Sequence, residues 1–258
     1  MILPERVRAE LAASTRFRDV RLVEVIDSTN RAVIDRARAG EPEGLVLAAD
    51  LQTAGRGRMD RTWEAESGAA LLVSVLLRPA GLPVSRWYAV TAAAALAGRA
   101  ACRDVAGVAA DIKWPNDLLV DDRKLAGILA EVAGTAIVVG MGLNVHGGPP
   151  GAATLDQAAA RRTSRSALLV AWLKALDGLL GDWDAVTSRY RSECATVGRD
   201  VLVEQVDGRR LAGRAEAIDD EGRLIVSTSD GVQHRLSVGD VTHLRAGPAA
   251  PGGGQPGW

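Results

Sequence analysis

The fold is decided by the segment at positions 111–144, whose sequence is DIKWPNDLLVDDRKLAGILAEVAGTAIVVGMGLN. Its β-prone runs are Asp111–Trp114, Leu118–Val120, Lys124–Val132 and Ala136–Leu143. The polar triplets Pro115-Asn116-Asp117 and Asp121-Asp122-Arg123 separate the first three runs and are typical of tight turns. The segment therefore predicts a sheet of short strands joined by turns.

Strand and helix patterns alternate before this segment. Asp19–Ile26 alternates apolar and charged residues as a strand does, and Asp27-Ser28-Thr29-Asn30 offers side chains that suit the start of a helix at Arg31–Ala39. Further strands are predicted at Gly44–Leu51 and Ala69–Leu77, and helices at Val84–Cys102, Ser164–Leu180 and Trp183–Cys194. Helices are thus expected to pack on the sheet.

The pattern changes at Gly198, where short strands follow one another. They include Val201–Val206, Leu211–Ile218, Leu224–Ser227 and Val241–Leu244, and Asp-Gly or Glu-Gly turns join them. This spacing predicts a small β-barrel at 198–246 after a larger domain at 1–197. The tail at 247–258 is rich in Gly and Pro and is predicted to be disordered.

Composition limits the partners of the chain. Its 31 basic and 32 acidic residues give a net charge of -1, which argues against nucleic acid or an anionic membrane as the main partner. The N-terminus carries charges where a signal peptide needs apolar residues, and no run of about 18 apolar residues occurs. Two distant cysteines are too few for a disulfide framework, so we expect a cytoplasmic protein with reduced thiols.

An arginine-rich loop occupies positions 52–63, with the sequence QTAGRGRMDRTW. Gly55 and Gly57 allow close approach of the backbone, and Arg56, Arg58 and Arg61 offer forked donors for carboxylate and phosphate oxygens. The loop is predicted to bind anions. A solvated surface loop or a contact with nucleic acid, with Trp63 stacked on a base, remains open on this evidence alone.

The second informative motif is Lys113-Trp114-Pro115-Asn116-Asp117, followed by Lys124-Leu125-Ala126-Gly127. Asn116 and Asp117 place an amide and a carboxylate at a strand edge, where they can meet phosphate-bound Mg²⁺ or an incoming amine. An ordinary turn explains them equally well. Lys124 opens an apolar strand, either because its charge is used or because it protects a sheet edge from aggregation.

A third motif, Gly140-Met141-Gly142-Leu143-Asn144, has glycines in a strand that ends in an asparagine. The Asn144 amide suits the edge of an adenine, although a β-bulge is an equal alternative. No phosphate-binding P-loop, serine nucleophile elbow, kinase signature or zinc-protease motif occurs in the sequence.

Taken in order, these motifs resemble those of the biotin-protein ligase family, over residues 19–246. The resemblance implies an α+β fold of the class II aminoacyl-tRNA synthetase-like, biotin-lipoate ligase type, with a mixed, largely antiparallel sheet and a C-terminal SH3-like β-barrel. It also implies an ATP-dependent biotin-[acetyl-CoA-carboxylase] ligase. Such an enzyme forms biotinyl-5'-AMP, releases pyrophosphate and transfers biotin to a lysine of the biotin carboxyl carrier domain of acyl-CoA carboxylase.

The resemblance also implies roles for individual residues. Biotin would be bound by Ser28, Thr29, Asn30, Gln52, Gly55, Arg56, Lys124 and Gly127. ATP and the adenylate would be bound by Arg58, Arg61, Trp63, Asn116 and Asn144. Arg56, Lys124 and Asp117 would be catalytic, and Asn116 with Asp117 would orient Mg²⁺ indirectly or through phosphate.

Two departures from the family and two rival interpretations bear on these expectations. Met59-Asp60 stands where relatives often have a more basic or glycine-containing pair, which bears on loop closure over the adenylate. Only about 27 residues precede Ser28, so neither an N-terminal DNA-binding domain nor repressor activity is expected.

Lipoate-protein ligase shares the fold, although the Gly-Arg-Gly-Arg loop favours biotin. A nucleic-acid-binding module is the rival interpretation outside enzymes.

Overall fold

The computed structural model describes residues 3–59 and 61–244, so the tail predicted at 247–258 lies outside the described residues. A seven-stranded sheet is built in the order β1-β2-β3-β7-β6-β5-β4. Its strands are β1 (Asp19–Ile26), β2 (Leu45–Gln52), β3 (Ala70–Leu77), β4 (Asp111–Lys113), β5 (Asp117–Val120), β6 (Arg123–Ala133) and β7 (Ala136–Asn144). The β1–β2 pair is parallel and the other pairs in this sheet are antiparallel, so the sheet is mixed as predicted.

Apolar side chains fill both faces of this sheet. Every residue of β3 is buried, and Ser74 is its polar member. The helices are α1 (Glu5–Ser14), α2 (Thr29–Arg38), α3 (Tyr88–Ala101), α4 (Leu155–Ala159), α5 (Arg165–Leu179) and α6 (Trp183–Glu193). Helix α2 packs on one face through Val33 and Ile34, whereas α3 belongs to the main core on the other face.

Polar side chains cap the starts of three helices. The hydroxyls of Ser28 and Ser164 and the carboxylate of Asp182 accept backbone N–H bonds at the starts of α2, α5 and α6. The long helix predicted at Val84–Cys102 is broken instead into a 3-10 turn (Val84–Arg86), α3 and a π turn (Cys102–Ala106). Gly107 ends this run with φ +72°, a conformation that favours glycine.

A second, antiparallel sheet has the order β11-β10-β9-β8-β12. Its strands are β8 (Asp200–Glu204), β9 (Arg210–Ile218), β10 (Leu224–Ser227), β11 (Gln233–Leu236) and β12 (Asp240–His243). Together, the mixed sheet and this five-stranded sheet confirm the predicted fold class. In the described part of the chain, no helix is both long and apolar enough to cross a membrane.

Direct contacts fasten the second sheet to the first. The backbone N–H of Ala195 donates to Ile112 O at 2.8 Å, and the Trp114 indole N–H donates to Gly222 O at 2.9 Å. These bonds hold the segment before β8 and the turn between β9 and β10 against β4 and the residue that follows it. As a result, Gly239 and Asp240 of the second sheet line the same cleft as the arginine loop.

Candidate active site

A cleft of about 900 Å³, partly open to solvent, lies on the face of the first sheet that carries α2. It unites the three sequence motifs, although they come from distant parts of the chain. The predicted site residues that line it are Ser28, Thr29, Asn30, Gln52, Arg56, Arg58, Arg61, Trp63, Asn116, Asp117, Lys124 and Gly127.

One end of the cleft is a pocket of neutral polar groups at the start of α2. The side-chain carbonyl of Gln52, at the end of β2, accepts from the Thr29 backbone N–H at 2.8 Å and from its hydroxyl at 2.9 Å. The fully buried Ser74 hydroxyl lies 2.8 Å from Thr29 Oγ1 and 2.6 Å from Asn30 Oδ1. This network fixes the side chains before any ligand arrives, and it suits an uncharged, hydrogen-bonding head group.

Paired glycines make the floor of the cleft. Gly127 of β6 lies opposite Gly142 of β7, and the Trp63 ring rests against both strands. A Cβ at Gly142 would lie 2.4 Å from Trp63 Cε2, so a side chain there would displace the indole. The Trp63 indole nitrogen is buried and has no hydrogen-bond partner among the described residues, and the Lys124 ammonium lies 5.7 Å from the ring centroid.

The base of the arginine loop is closed by backbone bonds. Trp63 N donates to Gly55 O at 3.0 Å, and Gly57 N donates to Arg61 O at 2.6 Å. Gly55 is buried and does not line the cleft; a Cβ there would lie 2.2 Å from Trp63 O. Met59, at the loop tip, has φ +55°, whereas its neighbour Asp60 lies outside the described residues.

Each arginine of the loop has a different partner. Arg56 NH1 lies 2.9 Å from Glu131 Oε1, Arg58 NH1 donates to Asn116 Oδ1 at 2.8 Å, and Arg61 NH2 donates to Asp240 Oδ2 at 2.9 Å. Burial lowers the pKa of Arg58, whereas the hydrogen bond and charge of Asp240 raise the pKa of Arg61. All three guanidinium groups line the cleft.

Two lysines share the buried carboxylate of Asp117. Lys124 Nζ lies 2.7 Å from Oδ1, and Lys113 Nζ lies 3.9 Å from Oδ2. Nearby, the Asn116 amide N–H donates to Ile128 O at 2.6 Å, and the Tyr190 hydroxyl donates to Pro115 O at 2.9 Å, which anchors the turn. Burial raises the pKa of Tyr190 well above its usual value, so this hydroxyl stays protonated and remains a donor.

Asn116 and Asp117 do not fit direct coordination of Mg²⁺ in this arrangement. The Asn116 carbonyl faces the Arg58 guanidinium, and the Asp117 oxygens face two ammonium groups, which would repel a cation. Among the described residues, no cluster of three or more His, Cys, Asp or Glu side chains could hold a metal.

Asn144 is placed differently from the other predicted residues, since it does not line the cleft. Its amide N–H groups lie 3.2 Å from Ala153 O and 3.4 Å from Lys124 O, which ties the end of β7 to the backbone of Lys124. Its Oδ1 is buried, and no group in the described part of the chain bonds to it. The side chain is therefore part of the wall behind Lys124.

Several residues of the site were not singled out from the sequence. Lys113 begins the Lys113–Asp117 motif, and its position just before a predicted turn could have indicated a role in the site. Glu131 is a charge in an apolar strand, the same signal that drew attention to Lys124. Ser74 is likewise the polar residue of an apolar strand. Asp240 gave no signal, because it reaches Arg61 across 179 positions of sequence.

Comparisons with known proteins agree with this geometry. Residues 22–147 match the model of the biotin/lipoate A/B protein ligase family, and residues 196–244 match that of the biotin protein ligase C terminal domain. A Mycobacterium tuberculosis biotin-[acetyl-CoA-carboxylase] ligase is 36% identical over 247 residues, covering 91% of this chain and 92% of that protein. A Paracoccus denitrificans protein of the same name is 31% identical, covering 80% and 93%.

Solved structures show the same fold. The biotin protein ligase of Aquifex aeolicus, in a complex with biotin and ATP, superposes with a TM-score of 0.76 at 23% identity. The match covers 89% of this chain and all of that one, 100%. Both sheets of the present structure therefore belong to one known architecture.

Proposed function

The chain belongs to the biotin/lipoate A/B protein ligase family, and from this premise we propose that it is a biotin-[acetyl-CoA-carboxylase] ligase. It forms biotinyl-5'-AMP from biotin and ATP and then transfers biotin to a lysine of a biotin carboxyl carrier domain. The observation that carries the proposal is a neutral polar pocket placed beside a dense cluster of cations. The cations are Arg56, Arg58, Arg61, Lys113 and Lys124.

The neutral pocket suits the ureido ring of biotin. Ser28, Thr29, Asn30 and Gln52 supply uncharged donors and acceptors, and the network through Ser74 keeps them in place. Gly127 lines the cleft, where its backbone would contribute further bonds, whereas Gly55 lies buried behind the lining. A group that hydrogen-bonds without carrying charge avoids the cost of burying an ion.

The cations suit the first reaction step. A carboxylate oxygen of biotin attacks the α-phosphorus of ATP, a new O–P bond forms, and the bond to the pyrophosphate leaving group breaks. Arg56 and Lys124 hold the carboxylate and the α-phosphate, which would otherwise repel each other. Arg58 and Arg61 bind the polyphosphate and then cover the adenylate.

The nucleotide base is assigned to the region of Trp63 and the end of β7. The indole offers a stacking surface, and Asn144 supports the wall beside it by holding the backbone of Lys124 and Ala153. Mg²⁺ enters this site as part of Mg-ATP, held by phosphate oxygens, since Asn116 and Asp117 already face cations. The ion would supply charge neutralisation on the phosphates.

The second step joins biotin to the acceptor. The neutral lysine amine attacks the acyl carbon of the adenylate, a C–N bond forms, the C–O bond to AMP breaks, and the amine nitrogen releases one proton to solvent. Asp117 lies at the cationic end of the cleft and orients the amine, with Asn116 beside it. Closure of the arginine loop keeps water from the anhydride until the amine arrives.

Two alternatives receive less support. A lipoate-protein ligase is disfavoured by the match of residues 196–244 to the biotin protein ligase C terminal domain and by the names of the relatives. A nucleic-acid-binding module is disfavoured by the net charge of -1. We assign the reaction to the cytoplasm, where the buried, unpaired Cys102 and Cys194 would stay reduced.

The test is mass spectrometry of the small-molecule products. The purified protein is incubated with Mg-ATP and an equimolar mixture of biotin, lipoate and octanoate, with a control that lacks ATP. Biotinyl-AMP alone supports the proposal, and addition of a carrier domain should then consume it and biotinylate one lysine. Lipoyl-AMP or octanoyl-AMP would move the protein to the sister family, and the absence of any adenylate would overturn the proposal.

A further inference from the structure

A carboxylate occupies a place in this anion-binding site that the reaction does not explain. Glu131, in β6, is 20% exposed, and its Oε1 lies 2.9 Å from Arg56 NH1. An acidic group beside a site for carboxylate and phosphate opposes their binding unless its charge is used. Glu131 therefore requires a role of its own.

The alternation of β6 brings Glu131 to the face that carries the cleft. Gly127, Leu129 and Glu131 point to the same side, because successive side chains of a strand alternate between its faces. Their partners in β7 are Gly142, Gly140 and Val138. Leu129 lines the cleft, and Glu131 lies two residues further along β6, beside Asn30 at the start of α2.

Asn30 connects Glu131 to the neutral pocket. It rests on Gly140, where a Cβ would lie 2.1 Å from Asn30 Oδ1, so this position must lack a side chain. The amide N–H groups of Asn30 donate to Glu131 Oε2 at 2.9 Å and to Leu129 O at 3.2 Å, while its Oδ1 accepts from Ser74. Every polar atom of the Asn30 side chain is engaged, which fixes the orientation of the amide.

A continuous chain of hydrogen bonds therefore joins the two halves of the site. It begins at Gln52, passes through Thr29, Ser74 and Asn30, and ends at Glu131, which is ion-paired with Arg56. Because Ser74 has one proton, which Asn30 Oδ1 accepts, the chain is complete when the Thr29 hydroxyl turns its proton from Gln52 to Ser74 and Gln52 is held by the Thr29 backbone N–H. Networks of this kind hold their members more rigidly than isolated pairs do. The pocket for the head group and the arginine that meets the carboxylate share one scaffold.

The geometry leaves Arg56 able to bind a ligand while it is held. Glu131 contacts the guanidinium through Nη1. The Arg56 side chain remains 47% exposed and lines the cleft. A guanidinium carries five N–H donors, so its other edge can still meet an anion. Holding a long, flexible side chain in one rotamer removes an entropy loss that ligand binding would otherwise incur.

We infer that Glu131 is a positioning residue, which orients Arg56 for the carboxylate and α-phosphate during adenylate formation. This inference rests on the proposed function. Glu131 acts through Arg56 and does not touch the reacting atoms. Its loss should slow adenylation without weakening the neutral pocket.

The test is a double-mutant cycle on adenylate formation. Glu131→Gln keeps the shape and one oxygen that accepts from Asn30, but it removes the charge that holds Arg56. We expect single-turnover formation of biotinyl-AMP to fall about tenfold, while biotin affinity measured without nucleotide falls by less, because Arg56 meets only the carboxylate of biotin. Arg56→Ala combined with Glu131→Gln should be no slower than Arg56→Ala alone, because Glu131 acts only through Arg56.

Two further variants sharpen the result. Glu131→Asp keeps the charge but withdraws it by one methylene, so an intermediate rate is expected. Glu43→Gln is the matched control: Glu43 is 30% exposed and pairs with Arg16 outside the cleft, so its loss should leave adenylation unchanged. Thermal unfolding of each variant separates a loss of rate from a loss of folded protein.

Three results would overturn the inference while the wild-type enzyme remains active. The two substitutions could slow the reaction additively, biotin affinity could fall as much as the rate, or Glu131→Gln could be faster than wild type, which would make Glu131 a competitor for Arg56. If the wild-type protein forms no biotinyl-AMP, the proposed function fails and the inference fails with it. Activity of the wild type thus distinguishes the two failures.

Discussion

Lys124 Nζ lies 2.7 Å from the Oδ1 atom of Asp117, and the same ammonium lies 5.7 Å from the centre of the Trp63 ring. The lysine is therefore held at the junction of the glycine floor, the arginine loop and the turn that bears Asp117. A cation fixed here is in place before two anions meet. Preorganised charge of this kind contributes to catalysis because it needs no rearrangement during the reaction.

Replacing Lys124 with alanine should suppress the first reaction step. The variant loses the charge that neutralises the attacking carboxylate and the α-phosphate, which corresponds to about 3 kcal/mol of transition-state stabilisation, or roughly a hundredfold in rate. Single-turnover assays of biotinyl-AMP formation measure this loss. Lys174→Ala is the control, since Lys174 pairs with Glu10 on the surface. Near-normal adenylation in Lys124→Ala would contradict the role assigned to this residue.

The ion pair between Arg61 and Asp240 should make a small, pH-dependent contribution to stability. Burial opposes ionisation of Asp240, but the hydrogen bond and charge of Arg61 prevail and lower the pKa of Asp240. A carboxyl group whose folded-state pKa is lowered stabilises the protein above its unfolded pKa, and this contribution is lost as the pH falls through the folded pKa.

Asp240→Asn should therefore reduce the free energy of unfolding by at most about 1 kcal/mol at pH 7, since both side chains are largely exposed to screening solvent. The difference between wild type and variant should shrink below about pH 4, the ordinary pKa of an aspartate. Urea unfolding at several pH values measures it. A difference that grows in acid would show that Asp240 stabilises the fold in another way.

Most strands could be predicted from the sequence because the signal for a strand is local. The alternation in β1 and the apolar runs of β2, β3 and β7 each indicate a strand without knowledge of its partners. Elements that bury little were missed: Leu11 is the buried residue of α1, and Leu236 that of β11. Their amphipathic patterns are correspondingly weak.

The site was predictable where one motif carried the chemistry and unpredictable where tertiary contacts decide the role. Arg56, Lys124 and Gln52 lie in motifs whose residue types suit a carboxylate, a phosphate and a neutral head group. The role of Glu131 could not be predicted, because its contact with Asn30 forms only when β6 pairs with β7 and α2 packs on them. Asn144 illustrates the converse, because the chemistry of its amide does not reveal that it is directed into the wall.

Gly142→Ala should weaken ATP binding by displacing Trp63. The new methyl group would lie 2.4 Å from Trp63 Cε2, so the indole, and the loop that bears it, must move. We expect the KM for ATP to rise about tenfold with a smaller change in biotin affinity. Gly178→Ala is the control, since a Cβ at Gly178 of α5 meets nothing within 4 Å. An unchanged KM for ATP would show that ATP binding does not depend on the packing of Trp63 against Gly142.

Ser74→Ala should weaken both the fold and the binding of biotin. The Ser74 hydroxyl is fully buried in β3 and lies within hydrogen-bond distance of Thr29 Oγ1 and Asn30 Oδ1, so its removal leaves a buried acceptor without its donor. Such a loss costs about 1–3 kcal/mol in the free energy of unfolding, and urea denaturation should show it.

Biotin affinity, measured by calorimetry without nucleotide, should fall as well, because Thr29 and Asn30 lose the bonds that hold them. Ser14→Ala is the control: its hydroxyl donates to Glu10 O at the exposed end of α1, far in sequence from the cleft. If Ser74→Ala lowers stability but leaves biotin affinity intact, the pocket is held by Gln52 alone and the network through Ser74 is structural. If biotin affinity falls together with stability, the hydrogen bonds that fix the pocket before biotin arrives contribute to biotin binding.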